Sequence, residues 1–128
     1  MKLVKTENDK RGIRYIFHKN NKIITIFEIK NGFARGGQYH EQEVIHILIS
    51  GKIQYTKKNV YSNIETTEIV SPLQPIILPP FTSDLIIGLE DSILLGIYPI
   101  EKSSMYFKEH RKEVKKRINF NNTKSDLD

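Results

Sequence analysis

The most regular hydrophobic pattern in the chain runs from Gln38 to Ile49 and has a period of two. Successive side chains of an extended strand point to opposite faces of a sheet, so this segment separates into two sets. One set ends as a strip of three isoleucines. The other carries the imidazoles and consists of Gln38, His40, Gln42, Val44, His46 and Leu48. The pattern predicts a strand that is covered on both faces, with a polar approach at one end.

Further segments rich in β-branched residues, separated by Asn, Gly and Pro, predict short strands over the first hundred residues. The first two are joined by a polar turn at 18–22 and predict a hairpin. Several short strands at this spacing, with turn signals between them, indicate an all-β double-sheet barrel. Besides the central segment, the predicted strands lie at 13–17, 23–29, 52–56, 64–70, 85–89 and 93–98.

The period changes near residue 104, where the pattern becomes helical. A narrow apolar stripe among charged residues consists of Phe107, Val114 and Ile118. Ser103 or Ser104 is a suitable N-cap. We therefore expect a barrel domain at 1–102, a helix packed on it at 103–119 and a polar tail at 120–128.

Glycines and a histidine frame the central segment at fixed intervals. Gly32 is followed by a Gln-Tyr-His sequence that ends at His40, then by Val44 and by Gly51. This spacing resembles the first motif of the cupin family, in which a glycine, a His-x-His pair, a glutamate and a closing glycine recur at those intervals. The resemblance implies a cupin double-stranded β-helix, a jelly-roll barrel, with one C-terminal α-helix. Gln38 stands in place of the first histidine and Val44 in place of the glutamate.

The segment 76–84 resembles the second cupin motif, which reads Pro-x-Gly, two residues, His. Pro79 fits this motif, Phe81 replaces its glycine and Asp84 takes the place of its histidine. An anionic side chain therefore stands where the family has a neutral ligand.

Two Arg-Gly sequences resemble one branch of the cupin family. Asp-Lys-Arg-Gly at 9–12 precedes the first predicted strand, and an Arg-Gly pair at Arg35 precedes the histidine segment. This order resembles the cupins that act on nucleotide-linked sugars, the epimerases and ketoisomerases of deoxyhexose synthesis, over residues 9–99. The resemblance implies His40 as a catalytic base and Arg35 as a contact for the nucleotide phosphates. Arg11 is a weaker candidate for the same role.

If the barrel is correct, the polar face of the central segment and Asp84 point into its lumen. The resemblance then implies one catalytic residue, His40, and five substrate-binding residues: Arg35, Gln38, His46, Asp84 and Arg11. A weaker alternative is a metal site of His40, His46 and Asp84. The family's set of three histidines and one glutamate survives at one position of four, so we expect no tightly bound divalent metal and no other cofactor.

Composition and charge exclude several other classes. The chain of 128 residues has no cysteine, which excludes disulfides and Cys-based zinc sites. The net charge is +5, but residues 104–118 hold six Lys/Arg against two Glu, so the surplus belongs to the predicted helix and not to a nucleic-acid surface. The charged N-terminus and the absence of a long apolar run predict a cytoplasmic protein with no membrane association.

Three functions remain open at the level of sequence. The first is a small-molecule-binding cupin for a nucleotide-linked sugar or another carbohydrate derivative, acting as a metal-independent isomerase or epimerase through His40. The second is a non-catalytic cupin for binding or dimerisation. It is favoured by the outward strip of Ile45, Ile47 and Ile49, which predicts a homodimer. The third is a metal-dependent cupin enzyme.

Overall fold

The computed structural model describes residues 1–100 and 104–127, which form twelve strands and one helix. In chain order the first six strands are β1 (Lys2–Asp9), β2 (Gly12–Lys19), β3 (Lys22–Ile29), β4 (Ala34–Gly36), β5 (Gln38–Tyr39) and β6 (Val44–Ser50). The remaining elements are β7 (Ile53–Asn59), β8 (Glu65–Val70), β9 (Pro75–Leu78), β10 (Thr82–Gly88), β11 (Ser92–Pro99), β12 (Met105–Tyr106) and α1 (Lys108–Leu127).

The strands form two facing antiparallel sheets and a small third one. The larger sheet has six strands in the order β1-β2-β3-β11-β6-β9, and the smaller has four in the order β4-β10-β7-β8. The third sheet pairs β12 with β5. Strands that are distant in sequence are neighbours in both sheets, as in a jelly roll.

The core lies between the two large sheets, because their strands alternate apolar side chains inward. It includes the fully buried Ile29, Leu48, Ile53, Tyr55 and Leu94. In β6 the inward residues Val44, His46 and Leu48 are buried, but Ile45 and Ile47 are half-buried and Ile49 is exposed, so the predicted cover on both faces of the strand is found on one face only. The predicted all-β barrel with one C-terminal helix is confirmed.

The helix covers the outer side of the four-stranded sheet. Val114 is fully buried there against Ala34 and Ile87, and Ile118 packs against the same cluster. A second buried contact joins the His110 ring to Ser83 of β10, with 2.7 Å between Nδ1 and Oγ. Burial lowers the pKa of His110, so the ring is docked in its neutral form.

The boundaries of the C-terminal elements differ from the prediction. The helix begins at Lys108, because Met105 and Tyr106 are extended and pair with β5, and the carbonyl oxygen of Phe107 accepts the first helical bond from Arg111. It continues to Leu127 through the segment expected to be a tail, since no Gly or Pro interrupts it. Ser103 lies outside the described residues, and Ser104 precedes β12 and does not cap the helix.

The strand β1 has no counterpart in the sequence-based prediction. It pairs with β2 from Lys2 to Asp9, but seven of its eight residues are exposed. An edge strand with both faces exposed to solvent needs no alternation of apolar and polar residues, so the sequence of β1 shows no period of two.

Candidate functional site

A cavity of about 270 Å³ lies at one end of the barrel. Half-exposed Arg14 and exposed Ser104 are part of its lining, so the cavity reaches the surface. Its polar lining consists of Arg11, Arg14, Arg35, Arg111, Gln38, His40, Asp84, Tyr98 and Ser104. Five of the six predicted site residues therefore line one cavity, and His46 is the exception.

The two Arg-Gly sequences meet at the rim. The guanidinium of Arg11 binds the carboxylate of Asp9 through two nitrogens, with 2.7 Å from Nη2 to Oδ2. Arg35 donates from Nε to the carbonyl oxygen of Glu28 at 2.7 Å and from Nη2 to that of Gly12 at 3.1 Å. Both of these acceptors are uncharged, so the cationic charge of Arg35 stays available to a ligand. Burial lowers the pKa of Arg35 to about 10, with a smaller contribution from Arg11, and the side chain remains charged at neutral pH.

Asp84 lies where β10 passes the glycine pair that follows Arg35. Gly36 has φ +112°, and a Cβ there would lie 2.6 Å from the Asp84 carbonyl oxygen and 2.9 Å from its Oδ1. Glycine is therefore required for this close approach. Burial raises the pKa of Asp84 to about 6, and hydrogen bonds from backbone N–H groups, including those of Gln38 and Gly37, oppose the shift. The carboxyl group therefore titrates close to neutral pH.

His46 lies one layer below the cavity, within a buried hydrogen-bond network. Its Nδ1 is 2.7 Å from the Tyr55 hydroxyl and its Nε2 is 2.6 Å from the Tyr98 hydroxyl. Burial lowers the pKa of His46 to about 3, so the imidazole is neutral. A neutral imidazole donates through one nitrogen and accepts through the other, so one tyrosine donates to it and the other accepts. The carboxylate oxygen of Asp84 lies 3.9 Å from Nδ1, but this contact is not an ion pair because the ring is uncharged.

This arrangement changes the position predicted for His46. The side chain is fully buried and reaches a ligand only through Tyr98, which lines the cavity. Gly96 makes room for that tyrosine, because a Cβ at this position would lie 2.6 Å from a ring carbon of Tyr98. His46 is therefore placed to orient Tyr98 and not to contact the substrate.

His40 follows β5 and faces the cavity with only 9% of its surface exposed. Its ring centroid is 5.8 Å from that of Tyr98. Its carbonyl oxygen accepts a 2.8 Å bond from the backbone N–H of Phe81, which joins the two motif segments. Phe81 has φ +57°, which lies in the left-handed region that favours glycine, the residue expected here from the motif.

No protein-family model matches the chain, and no curated protein matches it. Solved structures do. The capsular polysaccharide assembling protein CapF from Staphylococcus aureus matches 80% of this chain with a TM-score of 0.70 and 17% identity. An E162A mutant of oxalate decarboxylase OxdC from Bacillus subtilis matches 80% with a TM-score of 0.71 and 14% identity. Both proteins are members of the cupin superfamily.

The chain has the cupin fold. The matches cover 34% of the CapF chain and 30% of the oxalate decarboxylase chain, so this chain spans about a third of their length. At these identities the similarity establishes the fold, and the chemistry has to be argued from the site of this chain.

The lumen of this barrel does not fit a divalent metal. A metal site needs three or four ligating side chains, and the described residues contain no group of three His, Cys, Asp or Glu in such an arrangement. Both ring nitrogens of His46 are hydrogen-bonded to tyrosines, so it could bind a metal only by breaking one of these bonds. At the two altered motif positions, Val44 is apolar and Gln38 is a weak ligand.

Sequence reasoning missed four polar residues of the lining, Arg14, Tyr98, Ser104 and Arg111. Arg14 shares the inward face of β2 with Ile16, and strand alternation from Gly12 could have indicated it. Tyr98 occupies the same face of β11 as Leu94, and Arg111 belongs to the helix. The nitrogen Nη1 of Arg111 donates to the Gly36 carbonyl oxygen at 2.8 Å. No local signal points to Arg111, because the contact depends on how α1 docks.

Some of the basic side chains that give the protein its positive net charge therefore make contacts within the molecule. Arg111 lines the cavity, and Lys58 of β7 forms a 2.8 Å ion pair with Glu109 of α1. In the part of the chain that the structure describes, no helix is long and apolar enough to span a membrane.

Proposed function

We propose that the protein binds an anionic carbohydrate derivative in this cavity, and that a nucleotide-linked sugar is the ligand class that fits best. The observation that carries the proposal is the charge of the lining. Among the described residues that line the cavity, four guanidinium groups surround one carboxyl group.

Two of these arginines have their charge only partly compensated. Arg35 donates to backbone carbonyl oxygens, and Arg111 donates to the carbonyl oxygen of Gly36. Arg11 is paired with Asp9, which holds its guanidinium in one orientation at the rim. Planar guanidinium groups bind phosphate and carboxylate with two parallel hydrogen bonds, which favours an anionic ligand over a neutral sugar.

The size of the cavity limits what it encloses. Ligand pockets usually range over roughly 300–1,000 Å³, and this cavity of about 270 Å³ is slightly smaller. It suits one sugar ring, with a diphosphate at the arginine rim and a nucleoside outside. The carbohydrate class is also supported by the fold shared with CapF, which is described as a capsular polysaccharide assembling protein.

The proposed reaction is isomerisation or epimerisation of the sugar without a metal. His40 would remove a proton from a carbon next to a carbonyl group, and the same proton or a solvent proton would return to a neighbouring atom or to the opposite face. The Tyr98 hydroxyl lies near the same space, and it is a hydrogen-bond donor to a ligand in the tautomer in which His46 donates to it from Nε2. No electron is gained or lost, so the reaction requires no co-reactant.

A second candidate function is binding without turnover, and it is favoured by Gln38. In the branch that this chain resembles, a histidine occupies that position. A carboxamide cannot exchange protons near neutral pH. The two candidates share the same ligand and differ in whether carbon-bound hydrogen exchanges with solvent.

The experiment is calorimetric titration with thymidine- and uridine-diphosphate sugars, compared with the same sugars lacking the nucleotide. We expect the nucleotide-linked forms to bind more tightly. Loss of one charge-assisted bond is worth about 1.5–3 kcal/mol, so Arg111→Gln should weaken binding about 10- to 100-fold. Arg117→Gln is the matched control, because Arg117 belongs to the same helix and pairs with Glu113 instead of lining the cavity.

Incubation of each ligand that binds in deuterated water separates the two candidates. Deuterium uptake at a sugar carbon that stops in His40→Gln supports the isomerase. Binding without uptake supports the binding module. If none of the nucleotide-linked sugars binds the folded protein, or if both arginine variants bind equally well, the proposed ligand site is wrong.

A further inference from the structure

An exposed tyrosine lies at the mouth of the cavity, on the short strand β12. Tyr106 pairs in register with Gln38, which lines the cavity. Ser104, two residues before Tyr106, lines the cavity as well. Alternate residues of an extended segment point to the same side, so the Tyr106 ring lies on the side that faces the opening. Tyr106 is 64% exposed, and most of its ring is therefore accessible to a ligand.

The ring of Tyr106 contacts one of the arginines of the cavity. The guanidinium of Arg111 lies over the ring, with 5.4 Å from Cζ to the ring centroid. The same guanidinium donates from Nη1 to the carbonyl oxygen of Gly36 at 2.8 Å. One cation thus contacts both the anion-binding cavity and the aromatic ring outside it.

The backbone on both sides of this ring is held in place. The N–H of Phe107 donates to the carbonyl oxygen of Gly37 at 2.8 Å, and α1 begins at the next residue. Gly37 also makes room for Arg111, because a Cβ at this position would lie 2.6 Å from Cδ of the arginine. A ring whose backbone is already fixed loses little conformational freedom when a ligand stacks on it, so the cost of ordering this subsite is small.

We propose that the Tyr106 ring binds the base of the nucleotide-linked ligand by stacking. This inference rests on the proposed function, in which the sugar fills the cavity, the diphosphate binds the arginines and the nucleoside lies outside. A diphosphate bound by Arg111 brings its nucleoside to the ring over which Arg111 lies. The base stacks on the side of the ring away from the guanidinium, so that a cation–π contact and a stacking contact use opposite faces of the same ring.

This subsite recognises the presence of a base more than its identity. Stacking uses the flat face of a base, which every base has, and not its hydrogen-bonding groups. We therefore expect Tyr106 to favour nucleoside diphosphates over diphosphates without a base, and to contribute equally to the binding of thymidine and uridine diphosphate.

The test is calorimetric titration with thymidine diphosphate and with methyl diphosphate, which has a diphosphate monoester but no base. The original chain should bind thymidine diphosphate more tightly. Tyr106→Ala should weaken the binding of thymidine diphosphate by roughly 5- to 150-fold, the value of one base–aromatic stack, and should leave the binding of methyl diphosphate unchanged. Tyr106→Phe keeps the ring and should keep the affinity. Tyr61→Ala is the matched control, because Tyr61 is 74% exposed in the turn between β7 and β8.

Methyl diphosphate reports on the arginines separately from the ring. If Tyr106→Ala weakens the binding of both ligands equally, the ring only positions Arg111 and the stacking proposal is wrong. It is also wrong, although the anion-binding cavity stands, if Tyr106→Ala binds thymidine diphosphate normally or if the original chain binds both ligands equally. The last comparison needs no variant to fold. If neither thymidine diphosphate nor any nucleotide-linked sugar binds the original chain, the proposed function fails together with this inference.

Discussion

The neutral, buried His46 makes the stability of this protein depend on pH in a direction that can be calculated. The pKa of this imidazole is lowered from 6.5 to about 3 in the folded protein. As the pH falls below about 6.5 the unfolded chain takes up a proton at this residue and the folded chain does not. The contribution of His46 is therefore fully present above pH 6.5 and is lost progressively as the pH falls toward 3.

The neighbouring Asp84 acts in the opposite direction. Its pKa is raised from 3.8 to about 6, so between those values the folded protein binds the proton that the unfolded chain does not. This carboxyl group therefore stabilises the folded state more at pH 5 than at pH 7.

The two effects can be compared over the interval from pH 7 to pH 5. At 1.36 kcal/mol per pKa unit, His46 costs about 2 kcal/mol of stability and Asp84 adds about 1 kcal/mol. The original chain should therefore lose about 1 kcal/mol or less over this interval from the two groups. His46→Gln removes the imidazole titration, so the variant should instead gain about 1 kcal/mol as the pH falls.

Urea unfolding of both proteins at pH 7 and pH 5 measures how the free energy of unfolding of each one changes with pH. The comparison of these two changes is independent of any effect that the substitution has on stability at a single pH. His18→Gln is the control for the loss of an imidazole, because His18 is exposed at the end of β2. If the free energies of unfolding of His46→Gln and of the original chain change by the same amount between pH 7 and pH 5, within about 0.5 kcal/mol, His46 is not buried in its neutral form.

Three further predictions concern packing and backbone. Gly96→Ala places a Cβ 2.6 Å from the Tyr98 ring and should lower the free energy of unfolding by about 1–3 kcal/mol, measured by urea unfolding. Ser83→Ala leaves a buried ring nitrogen of His110 without its hydroxyl partner. It should cost about 1–3 kcal/mol, with faster hydrogen exchange in α1, and unchanged exchange would contradict this role. Leu73 is 72% exposed with φ +67°, so Leu73→Gly should raise the melting temperature, and a lower value would contradict the strain argument.

The glycine spacing of the first motif explains why the fold was predictable. Gly32 has φ +88° and Gly51 has φ +98°, a backbone conformation that favours glycine at these two positions. The alternation of side chains along β6 indicates, from the sequence alone, which of them face inward. Both signals are local, so the barrel could be inferred without any tertiary contact.

The site was predictable where it depends on these local signals. Gln38, His40 and Asp84 line the cavity because strand alternation and turn position fix their directions. Arg111 and Tyr98 were missed because helix docking and the space left by Gly96 place them there. The sequence also did not show that His46 is fully buried. Alternation predicts which face of a strand a side chain lies on, but it does not predict which inward side chains are covered by others.

By itself the sequence determined most of the strands of the barrel, the inward face of β6, and that the usual metal ligands of the motif are incomplete. Only the tertiary structure decided that four arginines share one cavity, that two tyrosines occupy both nitrogens of His46, and that Arg111 of the helix contacts the carbonyl oxygen of Gly36. The physical reason is the same in each case. Alternation and turn chemistry act between neighbouring residues, whereas these features depend on strand order and helix docking, which bring together residues far apart in the chain.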